Sequence, residues 1–280
     1  MKTIIKYTFK EMLKKRAFLL VFILSLLYLS IYAFGLSKIF ERPINSIYDI
    51  IFQSQILSAG LFFANFIVAF LVVLTSVNAI SGEIESGTIY SILSKPLKRY
   101  KLVLGKFIGL GTMIVIYSSI MFLSVVGLNI WFGSKISFGW DNILKGLFFF
   151  DLGPIVFLAL IIASSSIFST VNTGIIAIMA YGIALVGGVL EQIGVAMQQS
   201  QIKGEGLINA GILTSLILPT DVIYRKMTAE LLTQSSGISF LTQGLFGGMS
   251  QPSIYMFIYI FFYVVFLLYY GAKRFSQRDL

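Results

Sequence analysis

Charged residues that can dock a partner or catalyse a reaction occupy a stretch of this 280-residue chain that lies between two long apolar segments, Ser81 to Lys106 (SGEIESGTIYSILSKPLKRYKLVLGK). The flanking segments, Ile50–Gly82 on one side and Phe107–Ser134 on the other, contain no lysine or arginine, and Glu83 is the first charged residue after Asp49. Charged side chains on a structured segment can fix how a soluble partner docks, because opposite charges set its orientation. The stretch holds seven charged residues: Glu83, Glu85, Lys95, Lys98, Arg99, Lys101 and Lys106.

The residue types present exclude most enzymatic chemistry. There is no His and no Cys, which excludes imidazole acid–base catalysis, thiolate nucleophiles, disulfides and the usual zinc sites. Gly105–Lys106 has the ending of a phosphate-binding loop. That motif also needs a Gly five residues before the second Gly and a Ser or Thr after the Lys, and those positions hold Tyr100 and Phe107. We therefore expect no catalytic residue, no metal site and no bound cofactor in this chain.

Glycine and proline within the polar stretch predict a broken helix. Gly87–Thr88 can form a break and a new helix cap, and Pro96 ends the helix that begins near Ile89. The simpler alternative is a solvated loop in which Gly and Pro only turn the chain. The more specific interpretation is a cytoplasmic docking segment over residues 81–106.

Composition places this stretch in a membrane protein. The chain is 57% hydrophobic and 12% charged, with a mean hydropathy of +0.90, and a soluble domain needs more charge to cover its surface. Six uncharged or nearly uncharged runs approach or exceed the ~20 residues that a span requires. The sequence predicts an all-α membrane domain over residues 1–280 with spans at about Ala17–Ser37, Gln55–Ile80, Phe107–Ile130, Gly146–Phe168, Ile175–Leu190 and Pro252–Gly271.

Two further regions are predicted outside the spans. In residues 1–16, Lys2, Lys6, Lys10 and Lys14 repeat every four residues opposite an apolar face, which is typical of an interfacial helix; a basic flank that only orients the first span is the alternative. Residues 191–251 contain a 12-residue apolar run, Leu207–Leu218, that is too short to span. We expect short re-entrant or outer helices there, and close packing at the Gly105/Gly109 pair.

Lysine and arginine predict the orientation. With both termini in the cytoplasm, the inner segments hold 14 Lys and Arg residues and the outer segments seven, which satisfies the positive-inside rule. The net charge of +9 is therefore explained by orientation and by anionic lipid, and we expect no nucleic-acid partner.

Eight residues of the polar stretch occur in a recognisable order: Glu83, Glu85, Gly87, Thr88, Pro96, Arg99, Gly105 and Lys106. In that order they resemble the segment after the second span in the ABC-2 family of ABC transporter permeases. The resemblance covers the whole chain in outline and is specific over residues 81–106.

The resemblance implies the permease subunit of an ATP-driven exporter in a prokaryotic plasma membrane. In this interpretation the permease pairs with a second permease copy and docks separate ATP-binding subunits, which hold the ATP and magnesium. The eight residues would couple ATP hydrolysis to substrate movement, and the N-terminal helix would make a second contact with the ATPase.

Other functions remain open from sequence. One is a non-transporting membrane scaffold or assembly factor, and another is an ion-coupled secondary transporter, which usually keeps buried carboxylates in its spans. We expect Asp151 and Glu191 near outer helix ends as interfacial residues, and Ser164, Ser165 and Ser166 as helix-packing residues. An intramembrane hydrolase is improbable without His or Cys.

Overall fold

A computed structural model describes residues 2–40, 47–90, 99–133, 139–201, 203–232 and 252–278. Pro96 and residues 233–251 of the predicted outer region lie outside these ranges. The described residues form ten α-helices: α1 (Lys2–Lys14), α2 (Arg16–Phe40), α3 (Ile47–Ser76), α4 (Ser81–Glu85), α5 (Arg99–Trp131), α6 (Trp140–Ile167), α7 (Thr170–Gln199), α8 (Glu205–Ile217), α9 (Thr220–Leu232) and α10 (Ile254–Gln277).

The predicted all-α membrane fold is confirmed. No strand occurs in the described ranges, and six helical segments are long and apolar enough to cross a membrane: α2, α3 with α4, α5, α6, α7 and α10. At ~1.5 Å per residue, the 33 residues of α5 exceed the ~30 Å hydrocarbon core. Its ends therefore project beyond the core, and the charged end begins at Arg99.

The helices fall into a buried centre and an exposed rim. In α3, α5 and α6, between 50% and 61% of the residues in an apolar 18-residue segment of the helix are buried, against 11% in α2 and in α10. Apolar side chains on the rim helices face outward, as lipid allows. The core is built mainly where α3, α5 and α6 meet.

The connection between the fourth and fifth spans is shorter than the sequence predicts. The spans predicted at Gly146–Phe168 and Ile175–Leu190 leave residues 169–174 as the turn between them, but only Phe168 and Ser169 are extended, and α7 already begins at Thr170. Ser169 makes no side-chain cap. The acceptor for the first N–H of α7 is instead the Glu85 carboxylate from another element, so the partner that caps this helix start could not be predicted from the local sequence.

The apolar run Leu207–Leu218 forms α8, which turns sharply into α9. The two helix axes differ by 107°, and Pro219 lies at the break. Leu218 is extended, with φ −146° and ψ 105°, because a residue before proline is disfavoured in the helical region. From α10, Tyr259 and Tyr263 donate hydrogen bonds of 2.6 Å to the carbonyls of Leu216 and Ile217, which α8 leaves unpaired at its end.

Candidate functional site

The chain bends between α3 and α4, and Ser165 of α6 holds this bend. The Ser165 hydroxyl accepts hydrogen bonds from the backbone N–H groups of Ile80 (3.2 Å) and Ser81 (3.0 Å). It donates one to the Val77 carbonyl (3.1 Å). The first N–H groups of a helix have no partner within it, so Ser165 caps α4 from the neighbouring span. Its role is therefore more specific than the helix packing predicted from sequence.

Glu83 and Lys106 form an ion pair between α4 and α5. The two side chains are only 16% and 6% exposed. Both residues were predicted to couple to a soluble partner. The structure pairs them with each other, so their charges join α4 to the third span.

Glu85 reaches the start of α7. Its carboxylate accepts a hydrogen bond of 2.7 Å from the backbone N–H of Thr170, where a negative charge also complements the helix dipole. The Thr170 hydroxyl lies 2.8 Å from the hydroxyl of Ser81. Ser81 and Glu85, one helical turn apart in α4, thus both contact Thr170 at the start of the fifth span.

Gly87 ends α4 in a left-handed conformation. Its φ is +71°, a value that glycine adopts without the steric cost other residues incur. The hydroxyls of Ser86 and Thr88 lie 2.9 Å apart, and Thr88 donates to the Glu83 carbonyl (3.3 Å). The predicted break at Gly87–Thr88 is therefore present in the structure. Ile89 behind it is fully buried, whereas Tyr90 is 57% exposed.

Arg99 connects the start of α5 to the end of α10. Its Nη1 donates to the carbonyls of Arg278 (2.6 Å) and Ser276 (3.3 Å). These carbonyls lie at the carboxyl end of the last helix, where a cation is favoured. Arg99 therefore joins the polar stretch to the sixth span.

Helix α1 packs against α5 at Gly105 and Gly109. A Cβ atom on Gly105 would lie 2.9 Å from Ile4, and one on Gly109 would lie 2.9 Å from Thr8. Real Cβ atoms do not approach this closely, so a larger residue would displace α1. The close packing that this pair predicted involves the N-terminal helix rather than another span.

Lys15, between α1 and α2, is a contact that sequence reasoning missed. Its ammonium donates to the Thr75 carbonyl (3.3 Å) and to Asn78 Oδ1 (3.1 Å), and it lies 3.6 Å from a Glu11 carboxylate oxygen. Burial lowers the pKa of Lys15, and the Glu11 charge opposes that shift. Lys15 thereby joins the N-terminal helix to the end of α3.

These contacts converge on the described parts of residues 77–106. Within the segment, Glu83 is paired with Lys106, and the segment is bonded to α6 through Ser165, to α7 through Glu85 and to α10 through Arg99. Within the described ranges, no group of three or more His, Cys, Asp and Glu side chains is arranged to hold a metal ion. The segment is therefore a junction between several helices.

Comparison with known proteins agrees with this geometry. A sequence model described as ABC-2 family transporter protein matches residues 2–280. The chain belongs to the ABC-2 transporter family. A search of curated proteins gives no significant match.

Membership makes the chain a multi-pass membrane permease of ABC transporters, a transport component that is not itself catalytic. The family implies a partnership with an ABC ATP-binding subunit. The family resemblance found over residues 81–106 is thus confirmed for the whole chain. The coupling roles of the eight residues, with Pro96 outside the described ranges, stay predictions.

The permease has a carboxylate within the membrane that the sequence placed wrongly. Asp151 was expected near an outer helix end, but it lies eleven residues after Trp140 and sixteen before Ile167, close to the middle of α6. The expectation was wrong because α6 begins earlier than the predicted span. Asp151 accepts hydrogen bonds from the hydroxyls of Ser118 and Ser119 (2.7 Å for Ser119).

A second buried charge cluster lies where α7 meets the α8–α9 hairpin of the permease. Arg225 is 2% exposed and makes a bidentate pair with Glu191, at 2.6 and 2.8 Å. Its Nε lies 2.9 Å from the Asp221 carboxylate. Glu191 was expected to be interfacial, but its side chain is buried in an ion pair. The partner could not be predicted, since Arg225 is 34 residues away in a separate helix.

Proposed function

We propose that this chain is the permease subunit of an ATP-driven exporter in which residues 81–106 receive force from a separate ATPase. The observation that carries this proposal is that α4 and the start of α5 are bonded to each other and to three other helices. The contacts are Glu83–Lys106, Ser165 with Ile80 and Ser81, Glu85–Thr170, and Arg99 with the end of α10. A displacement of this segment is therefore passed directly to the spans.

The roles within the segment divide by burial. Ile89 is fully buried, and Glu83 with Lys106 forms a nearly buried pair, so these residues anchor the segment. Ser86, Thr88 and Tyr90 are exposed and form the face that we assign to the ATPase. Mechanical coupling requires a rigid segment that is buried among the spans at one side and exposed to the soluble subunit at the other. A conformational change in the ATPase can move the membrane helices only if the contacts between them are rigid.

The same contacts support the orientation that we propose. Arg99 holds the end of α10, and Gly105 receives Ile4 of α1. The start of α1 and the end of α10 thus lie beside residues 81–106, which we call the coupling segment. We place this end in the cytoplasm because its lysines and arginines outnumber those of the other end. In this arrangement ATP and magnesium are bound by the partner, the permease acts as a dimer in a prokaryotic plasma membrane, and no nucleic acid is involved.

The absence of cysteine allows a direct test with single-cysteine variants. Tyr90→Cys places a thiol on the proposed docking face, and Trp131→Cys, at a residue 84% exposed, places one at the opposite end of α5. Cells carrying each variant are treated with a thiol–amine crosslinker, and the adducts are identified by mass spectrometry. We expect Tyr90→Cys to capture a protein with a phosphate-binding loop and Trp131→Cys not to do so.

Orientation is measured on the same two variants. A membrane-impermeant maleimide is expected to label Trp131→Cys in intact cells, and Tyr90→Cys only after permeabilisation. Labelling of Tyr90→Cys from outside would overturn the orientation. Capture of no ATPase at position 90, with correct orientation, would favour a scaffold or assembly role over coupled transport.

A further inference from the structure

A surface cavity lies on the exposed side of α6, near the end of the bundle away from α4. Its volume is about 410 Å³, and its walls are Leu144, Lys145, Phe148, Phe149 and Glu230. Leu144 and Phe148 are 62% and 63% exposed and stand one helical turn apart. Phe149 is held from behind by Phe257 of α10, with ring centroids 5.3 Å apart. The cavity thus combines an apolar wall with a charged rim.

The charges at the rim leave one cation in excess. Lys226 and Glu230 form an ion pair of 2.7 Å along α9. Lys145, whose side chain is 59% exposed, lies 4.0 Å from the same carboxylate, which is beyond hydrogen-bonding distance. Among the ion pairs of the described helices, none joins Lys145 to Asp141 one turn away. The Lys145 ammonium therefore presents its donors to the space above the cavity.

The depth of these residues matches the profile of a phospholipid. Trp140 is 82% exposed at the start of α6, and tryptophan prefers the headgroup level. Lys145 follows five residues later, about 7 Å deeper by helical rise, and Phe148 about 12 Å deeper. A lysine at this depth extends its ammonium toward the headgroups while its stem stays in the apolar layer. Along the helix, a residue at the headgroup level is thus followed by a cation and then by an apolar surface for an acyl chain.

We infer that this cavity binds an anionic phospholipid from the leaflet away from α4. The phosphate lies against Lys145, and an acyl chain lies along Leu144 and Phe148. Glu230 is neutralised by Lys226, which leaves the Lys145 ammonium available to the phosphate. This site is separate from the coupling segment, and the inference does not depend on the function proposed above.

Native mass spectrometry of the purified, delipidated chain tests the site. Phosphatidylglycerol, phosphatidylcholine and inorganic phosphate are added separately, and bound molecules are counted. We expect one phosphatidylglycerol to bind more tightly than phosphatidylcholine. Lys145→Gln lowers the affinity for phosphatidylglycerol about five-fold, the effect of one lysine near an anionic headgroup. Lys203→Gln, at an exposed lysine beyond α7, leaves it unchanged.

A second pair of variants tests the acyl-chain surface. Phe148→Ala lowers the affinity for both lipids, whereas Phe34→Ala, at a comparably exposed aromatic on α2 (68%), does not. Because Phe148 and Lys145 are exposed, neither change disturbs the core. Equal binding of the two lipids to the wild type, or no effect of Lys145→Gln, overturns the inference. Binding of inorganic phosphate as tight as that of phosphatidylglycerol overturns it too, because the site would then recognise only the anion.

Discussion

The carboxylate of Glu83 meets the ammonium of Lys106 at a place where both side chains are largely removed from solvent. Lys106 lies two turns into α5, one residue after the glycine that receives Ile4 of α1. The ion pair therefore joins the root of the coupling segment to the helix that also carries the N-terminal helix. If α4 moves as we propose, we expect this pair to carry the movement to α5 and α1.

Removing one member of this pair is expected to destabilise the permease. Glu83→Gln leaves the Lys106 cation without its carboxylate, and breaking a buried ion pair costs about 3–5 kcal/mol. We expect a lower midpoint of thermal unfolding in detergent and reduced ATP-driven transport. Lys101→Gln, in the same helix, serves as the control. The double variant Glu83→Gln/Lys106→Gln removes both charges, so its midpoint of thermal unfolding should fall less than that of Glu83→Gln alone. An equal or larger fall would show that the pair is not coupled.

Gly87→Val is expected to leave membrane insertion intact and to lower transport and substrate-stimulated ATPase activity. The space around Gly87 is open, with Tyr90 Cδ2 as far as 4.0 Å from a Cβ, so the penalty arises from the backbone at φ +71°. A non-glycine residue there costs about 1–2 kcal/mol. Gly87→Asn should retain more activity than Gly87→Val, since asparagine tolerates this conformation.

The control for this backbone effect is Gly127→Val, on the exposed side of α5, where a Cβ meets nothing within 4 Å. Its backbone is helical, so only a helix-propensity change follows. If Gly87→Val transports like the wild type, the turn after α4 does not transmit force and the lever assignment is wrong.

The spans and the polar stretch could be predicted because their signals are local. Long apolar runs and the basic balance of residues 81–106 need no knowledge of distant contacts. The partners of that stretch were not predictable in this way. Ser165 caps α4 from 85 residues beyond Ile80, and Glu85 caps α7 from the same distance before Thr170. A serine within an apolar span has the same local appearance whether it packs or caps.

The buried charges show the same limit. Glu191 lies at the edge of an apolar run and Arg225 lies in a segment of mixed polarity, where a solvated charge is the usual interpretation. Only the sharp turn at Pro219 brings α9 back against α7, so that Arg225 reaches Glu191. The proline predicts a break, but not the angle of 107° that decides which charges meet.

Enlarging Gly105 is expected to displace α1. Gly105→Ala places a Cβ 2.9 Å from Cγ2 and 3.2 Å from Cβ of Ile4, and relief requires a shift of α1 because the position of the Ile4 Cβ is fixed by its backbone. We expect faster proteolysis of the N-terminal segment in inverted vesicles. Ile4→Ala removes the clashing atoms, so the double variant Gly105→Ala/Ile4→Ala should recover protection. Gly111→Ala, whose Cβ would make an ordinary 3.6 Å contact with Leu158, should have no effect. If the double variant does not recover protection from proteolysis, α1 does not pack on Gly105 as the structure shows.

Replacing Arg225 tests whether its charge pairs hold the α8–α9 hairpin. Arg225→Met keeps the length of the side chain but leaves Glu191 and Asp221 buried without a cation. Such a loss costs about 3–5 kcal/mol. We expect a large drop in the midpoint of thermal unfolding in detergent. Arg225→Lys should recover only part of it, because an ammonium cannot form the bidentate contact with Glu191 and also reach Asp221.

Lys226→Met is the matched control for this experiment. It is the next residue in α9, and its ion pair with Glu230 joins side chains that are 24% and 25% exposed. A partly exposed pair along one helix contributes only about 0.3–0.5 kcal/mol, so its loss should barely change the unfolding midpoint. The triple variant Arg225→Met/Glu191→Gln/Asp221→Asn removes all three charges. It should be more stable than Arg225→Met alone, because the unpaired carboxylates are then gone. A triple variant no more stable than the single one would show that α7 and the hairpin are held by packing instead of by these charges.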